Sequence, residues 1–78
     1  MMKDLVDFLA KSLVDHPDKV SVKEVTRDNN SVVFELRVAQ DDIGKVIGKE
    51  GRTAQSMRTL LAAVSTKIGK RAHLDIVD

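Results

Sequence analysis

Ile43-Gly44-Lys45-Val46-Ile47-Gly48-Lys49-Glu50-Gly51-Arg52 is the stretch on which the reading of this chain turns. Its ten residues hold three of the four glycines, three cations and the aliphatic set Ile43, Val46 and Ile47. The i, i+3, i+4 spacing of that set predicts a short helix over about residues 42–47, with Asp41 or Asp42 as its N-cap. Gly48 then falls where a helix C-terminus favours a left-handed residue. Gly48-Lys49-Glu50-Gly51 is a GxxG loop, and a long amphipathic segment over about residues 52–68 follows it. Met57, Leu60, Leu61, Val64 and Ile68 form the stripe expected to be buried, and Gly69 serves as the C-terminal cap.

On the N-terminal side, Leu5, Phe8, Leu9 and Leu13 recur at helical spacing, which predicts a helix over residues 3–15. His16-Pro17-Asp18 stops it, because proline disfavours helix in the residue before it. Residues 20–27 read as a first strand. Val20 and Val22 share a face, and Val25 breaks the alternation, as a bulge or a strand end near Lys23-Glu24 would. Asp28-Asn29-Asn30-Ser31 is a turn, with asparagine accommodating positive φ. Residues 32–39 are the clearest strand, with Val32, Phe34, Leu36 and Val38 on one face and Glu35 and Arg37 on the other. At the C-terminal end Ala72, Leu74 and Ile76 alternate with Arg71, His73 and Asp75, giving a last strand. The order α-β-β-α-α-β, with one apolar face per element, predicts a two-layer α+β domain. The pairing of the last strand does not follow from the pattern.

The 78 residues fit one domain with a modest core. Hydrophobic residues at 42% and charged residues at 32% fit a folded globular chain. No apolar run approaches 18 residues, the length a membrane span needs. The N-terminus mixes Lys3, Asp4 and Asp7 into its apolar pattern and lacks a signal-peptide core, so cytoplasmic residence is expected. The cysteine count of zero excludes disulfides and thiolate metal sites. The net charge of +1 hides an asymmetry: residues 44–73 carry Lys45, Lys49, Arg52, Arg58, Lys67, Lys70 and Arg71 against Glu50 alone. A basic block in a near-neutral chain suits an anionic partner, although a solvated helix face would look the same.

Other chemistries fit poorly. A Walker loop needs G-x-x-x-x-G-K-[ST], but Gly44 and Gly48 stand one residue too close and Glu50 takes the hydroxyl position. There is no G-x-G-x-x-G. His16 and His73 are the only histidines and have no ligand-spaced partner, so no metal is expected. The serines sit in no nucleophile motif. Asp41 and Asp42 are explained by capping. These readings point to no catalysis, no cofactor and no small-molecule substrate.

The Ile-Gly-Lys-Val-Ile-Gly-Lys-Glu-Gly-Arg-Thr-Ala run from Ile43 to Ala54, set in the order α-β-β-α-α-β, resembles a KH domain of type II topology. The likeness spans about residues 2–77 and is strongest to stand-alone bacterial KH proteins. It implies a single KH domain over residues 1–78, with a three-stranded sheet and its helices on one face. It also implies single-stranded RNA as partner, with about four nucleotides held at the GxxG loop. Gly48 and Gly51 would let the phosphodiester chain approach without a Cβ in the way. Lys49 and Arg52 would contact phosphate, with Lys45 and Arg58 as further cations, while Glu50 in the same loop opposes phosphate. Ile43, Gly44 and Ile47 would line one wall of an aliphatic base groove and the 32–38 strand the other, with Val46 left to the core. Phe8 and Phe34 pattern as core, so aromatic stacking of bases is not expected. The likeness suggests a post-transcriptional regulator or RNA chaperone. The competing reading is an interaction module that pairs with itself or with a larger, multi-domain KH protein of the Jag type. An accessory role on the ribosome or in RNA processing is a third reading.

Overall fold

The computed structural model describes residues 2–77; residues 1 and 78, the outermost positions of the expected 1–78 domain, lie outside the described residues. The elements are α1 (Met2–Leu13), β1 (Ser21–Thr26), β2 (Ser31–Arg37), α2 (Ile43–Ile47), α3 (Arg52–Ile68) and β3 (Arg71–Val77). Single 3-10 turns at Pro17–Lys19, Gln40–Asp42 and Lys49–Gly51 join them. The α-β-β-α-α-β order read from the sequence is the order observed.

The sheet runs β1-β2-β3, with β1 antiparallel and β3 parallel to β2. A parallel neighbour needs a crossover connection, and α2 and α3 provide it. Val32, Phe34 and Leu36 of β2 and Leu74 of β3 join Val6 and Ala10 of α1, Val46 of α2, and Met57 and Leu61 of α3 in one buried cluster. The helices therefore cover one face of a three-stranded α+β sheet, the type II KH arrangement. Among the described residues, no helix is long and apolar enough to cross a membrane.

Several local expectations change. The β1–β2 ladder runs residue for residue from Ser21↔Arg37 to Thr26↔Val32, so there is no bulge at Lys23-Glu24. Val25 breaks the alternation because it faces away from the helices, opposite Val33, and Val33 is itself buried on that side. The turn that follows does not use positive φ at asparagine; Glu50 is the only non-glycine with positive φ among the described residues. Asp28 closes the turn instead, its Oδ1 accepting the Asn30 N–H at 2.7 Å.

The buried face of α1 is Met2, Val6 and Ala10, rotated from the Leu5-Phe8-Leu9-Leu13 stripe. Leu5 and Leu9 flank the core, whereas Leu13 is exposed and Phe8 is 66% exposed. Phe34 is core as expected and Phe8 is not. The small Ala10 and β-branched Val6 let the helix axis approach the sheet, which leaves the bulkier residues to one side. In α3 the buried set is Ala54, Met57, Leu61 and Ser65. Leu60 and Ile68, expected inside, are exposed. Gly69 does cap α3, with φ 74° and its N–H on Ser65 O at 2.9 Å.

The first helix ends at Leu13, two residues before the expected end. Asp42 is the reason. Its side chain is fully buried and makes no capping bond to α2. Oδ1 instead accepts the Asp15 N–H at 3.2 Å and Oδ2 the His16 N–H at 3.0 Å. The two N–H groups that would extend α1 are thereby tied to the root of α2. A buried carboxylate is tolerated only when such donors satisfy it. Replacing Asp42→Asn keeps the shape but turns an acceptor into a donor facing an N–H. The expected loss is about 1–3 kcal/mol, read in thermal unfolding as a drop in Tm of about 4–8 °C for each kcal/mol.

Candidate nucleic-acid interface

α2 positions the site. Val46 is its fully buried anchor, as expected. Ile43 is half-buried, and Gly44, Lys45 and Ile47 are exposed. The helix closes with the Gly48 N–H on Gly44 O at 2.9 Å, and the Gly51 N–H returns to Gly48 O at 3.1 Å. The loop is thus a hydrogen-bonded turn joining two helices.

The three glycines of the motif differ in why they are glycine. Gly48 has φ 77° and ψ 175°, an extended mirror-image conformation and not the left-handed helical cap expected. That region is essentially closed to other residues. A Cβ there would also overlap Thr53 Oγ1 and approach Thr53 Cβ to 2.6 Å and its backbone nitrogen to 2.8 Å. The demand for glycine at 48 is therefore internal. Thr53 is a supporting residue that the sequence reading missed; its only signal was a hydroxyl in the first turn after the loop. Gly51 is left-handed at φ 74°, ψ 11°, and a Cβ on it would meet nothing within 4 Å. Gly44 is helical and exposed, and a Cβ there would also meet nothing within 4 Å. Nothing inside the fold requires Gly44, although glycine in a helix costs about 0.5–1 kcal/mol against alanine.

Glu50 sits at φ 57°, ψ 27°, a left-handed conformation that costs an L residue roughly 1–2 kcal/mol. Its carboxylate lies 3.7 Å from the Arg52 guanidinium. Lys49 has no ion-pair partner among the described residues. α3 starts at Gly51 without a side-chain cap, and the Arg52 N–H bonds Lys49 O of the turn before it.

The other two candidate cations are engaged in the fold. Lys45 Nζ lies 3.0 Å from Asp15 Oδ2, bracing α2 against the end of α1. The hydrogen bond and charge of Lys45 hold the Asp15 carboxyl below its ordinary range, and those of Asp15 raise the Lys45 ammonium. This exposed pair contributes to stability between those limits: it fades as pH falls through the lowered Asp15 value or rises through the raised Lys45 value. Arg58 Nη2 donates to the Leu74 carbonyl of β3 at 3.1 Å, covering part of that strand's open edge. The far groove wall expected from residues 32–38 also changes. β2 is the central strand, paired on both edges, with Val32, Phe34 and Leu36 buried under the helices. Of the apolar residues in that segment only Val38, past the strand's end, is partly open. The structure brings together Gly44, Ile47, the loop, Lys49 and Arg52, and gives the exposed Lys45 and Arg58 partners within the fold.

The distinction among the glycines has a direct test. Gly48→Ala should cost at least about 2 kcal/mol, combining strain with the Thr53 collision. Gly51→Ala should cost only the left-handed penalty of about 1–2 kcal/mol. Adding Thr53→Ala should recover part of the Gly48→Ala loss and none of the Gly51→Ala loss in urea denaturation.

A family model described as the KH domain of KhpA/KhpB matches residues 3–76. The RNA-binding protein KhpA of Aquifex aeolicus is 51% identical over 77 residues, covering 99% of this chain and 96% of the relative. Its namesake in Halalkalibacterium halodurans is 52% identical over 77 residues, covering 99% and 100%. The KhpA of Chlamydia trachomatis is 44% identical over 77 residues, covering 99% and 97%. Among solved structures, Era in complex with MgGDPNP and nucleotides 1506-1542 of 16S ribosomal RNA aligns with a TM-score of 0.65 at 19% identity. That alignment covers 96% of this chain and 28% of the Era chain, and at such identity the likeness is one of fold.

Proposed function

The chain belongs to the KhpA/KhpB KH-domain family, and from that premise we propose that it binds single-stranded RNA through the surface formed by α2, the GxxG loop and the start of α3. The observation that carries the reading is Gly44. It is an exposed helical glycine that the fold does not require, beside the open apolar face of Ile47. A bare backbone at that point serves close approach by a ligand. Lys49 and Arg52 supply phosphate contacts. The Glu50 carboxylate holds Arg52 partly occupied, so a phosphate must compete for it and affinity is moderate. Gly51 leaves open the space through which the sugar-phosphate chain passes, and Gly48 sets the loop's shape. Ile43 and Ile47 form the apolar wall against the bases. Lys45 and Arg58 act by holding α2 and β3 in place and do not contact RNA. About four nucleotides occupy the site. The activity is binding, not catalysis, and the chain acts in the cytoplasm as a post-transcriptional regulator or RNA chaperone.

Titration with short single-stranded RNA across a salt series should give a log–log slope near roughly −2, for about three phosphates neutralised on a single strand. Lys49→Asp with Glu50→Asp should abolish most of this binding while leaving the fold intact, since aspartate tolerates left-handed backbone. Gly44→Ala should leave stability equal or raised by up to about 1 kcal/mol and weaken RNA binding. Normal binding by both variants would refute the loop as the site.

A second reading is favoured by Phe8. An exposed phenylalanine on α1 suits pairing, either with a second copy or with a larger KH protein of the Jag type. Sedimentation of the purified chain should then show dimers that Phe8→Ser dissociates, without loss of folding.

A further inference from the structure

The basic block of residues 44–73 is only partly used at the loop. A shallow groove runs along the C-terminal half of α3 and the start of β3, lined by Ala62, Thr66, Gly69, Lys70, Arg71 and His73 among others. Arg58, Ala62, Thr66 and Gly69 follow one another at helical spacing. The Arg58–Leu74 bond turns that flank toward β3. Thr53, whose side chain lies against Gly48, belongs to the opposite flank. The groove is therefore separate from the α2 surface. It begins near Ala62 and reaches the far end of α3, with Thr66 about 22 Å along the axis from Gly51 at 1.5 Å per residue.

Three features suit this groove to a polyanion. Its lining contains no carboxylate. Lys70 and Arg71 have no ion-pair partner among the described residues, although on the hairpin side Arg71 also borders a depression with Asp28, and Lys70 one with Asp28 and Glu24. The floor is built of small residues, and β3 is an edge strand. Because the Leu74 carbonyl points to the open edge, alternation places the N–H and C=O of Ala72 there too, free to hydrogen-bond a ligand. We propose that this groove is a second nucleic-acid contact, taking phosphates of the same single strand beyond the nucleotides held at the GxxG loop. It rests on the RNA-binding reading, and it makes the footprint longer than one KH groove.

The test compares a labelled 5-nucleotide and a labelled 15-nucleotide single-stranded RNA of the same composition, across salt, with the parent and a Lys70→Glu, Arg71→Glu variant. The parent should bind the 15-mer with a slope steeper by about 1.4, for two more phosphates at about 0.7 each. The variant should lose that increment and bind the 5-mer as the parent does. Arg71 holds the fold through its backbone N–H to Asn30 O, so its side chain is replaceable; Lys70→Gln, Arg71→Gln is the milder companion, expected to lose the same increment. A folded variant that keeps the parent's slope and affinity on the 15-mer overturns the proposal. So does equal weakening on the 5-mer, which would mean a general field. If the parent binds the 15-mer but not the 5-mer, and the loop variant binds normally, the loop reading fails while loss in the Lys70/Arg71 variant upholds the groove.

Discussion

Asp42 holds the domain's two helical parts together. Its carboxylate is fully buried, and its two oxygens take the N–H groups of Asp15 and His16. A charge in that position is stable only because both oxygens are satisfied. The arrangement ends α1, turns the chain toward β1, and fixes the point from which α2 departs. The neighbouring Lys45–Asp15 pair repeats the linkage at the surface. α2 spans only Ile43–Ile47, too short to be stable alone. Its position is inherited from Val46 in the core and from this brace. The loop that follows therefore departs from a helix tied to the core by Val46 and to α1 by Lys45.

Within the loop, conformational demand and ligand demand separate cleanly. Gly48 answers to backbone geometry and to Thr53. Gly51 answers to a left-handed φ, with open space where a side chain would be. Gly44 answers to neither. Glu50, next to Gly51, is the non-glycine held at positive φ among the described residues. Its pairing with Arg52 gives the loop an internal competitor for the phosphate it would hold.

The seven cations between residues 44 and 73 are not one patch. Lys45 is bound to Asp15, Arg58 to a strand carbonyl, and Arg52 to the loop's own carboxylate. Lys49, with no ion-pair partner among the described residues, stands at the loop, while Lys70 and Arg71 border a groove on the other flank of α3. Net charge in a sequence window counts these alike. Their roles differ because each is decided by what the fold places within a few ångströms, and that distance sets whether a charge is neutralised or offered to solvent.

The order of elements, the β2 pattern of Val32, Phe34 and Leu36, the Gly69 cap and the GxxG motif were all legible along the chain, because each depends on neighbours within a few residues. The burial of Val46 was legible for the same reason. The face that α1 buries was not: Leu5, Phe8, Leu9 and Leu13 make as good a stripe as Met2, Val6 and Ala10, and only the closeness of the sheet selects the smaller side chains. The parallel pairing of β3 with β2 was likewise undetermined, since strand pairing is a contact between segments about forty residues apart. Asp42 looked like a cap because local spacing makes it one; its actual partners lie 26 and 27 residues away. The sequence by itself determined the repertoire of elements and the chemistry of the loop. The tertiary structure decided which polar groups are consumed inside the fold and which remain for a ligand, because hydrogen bonds and ion pairs are settled by proximity in space and not by order along the chain.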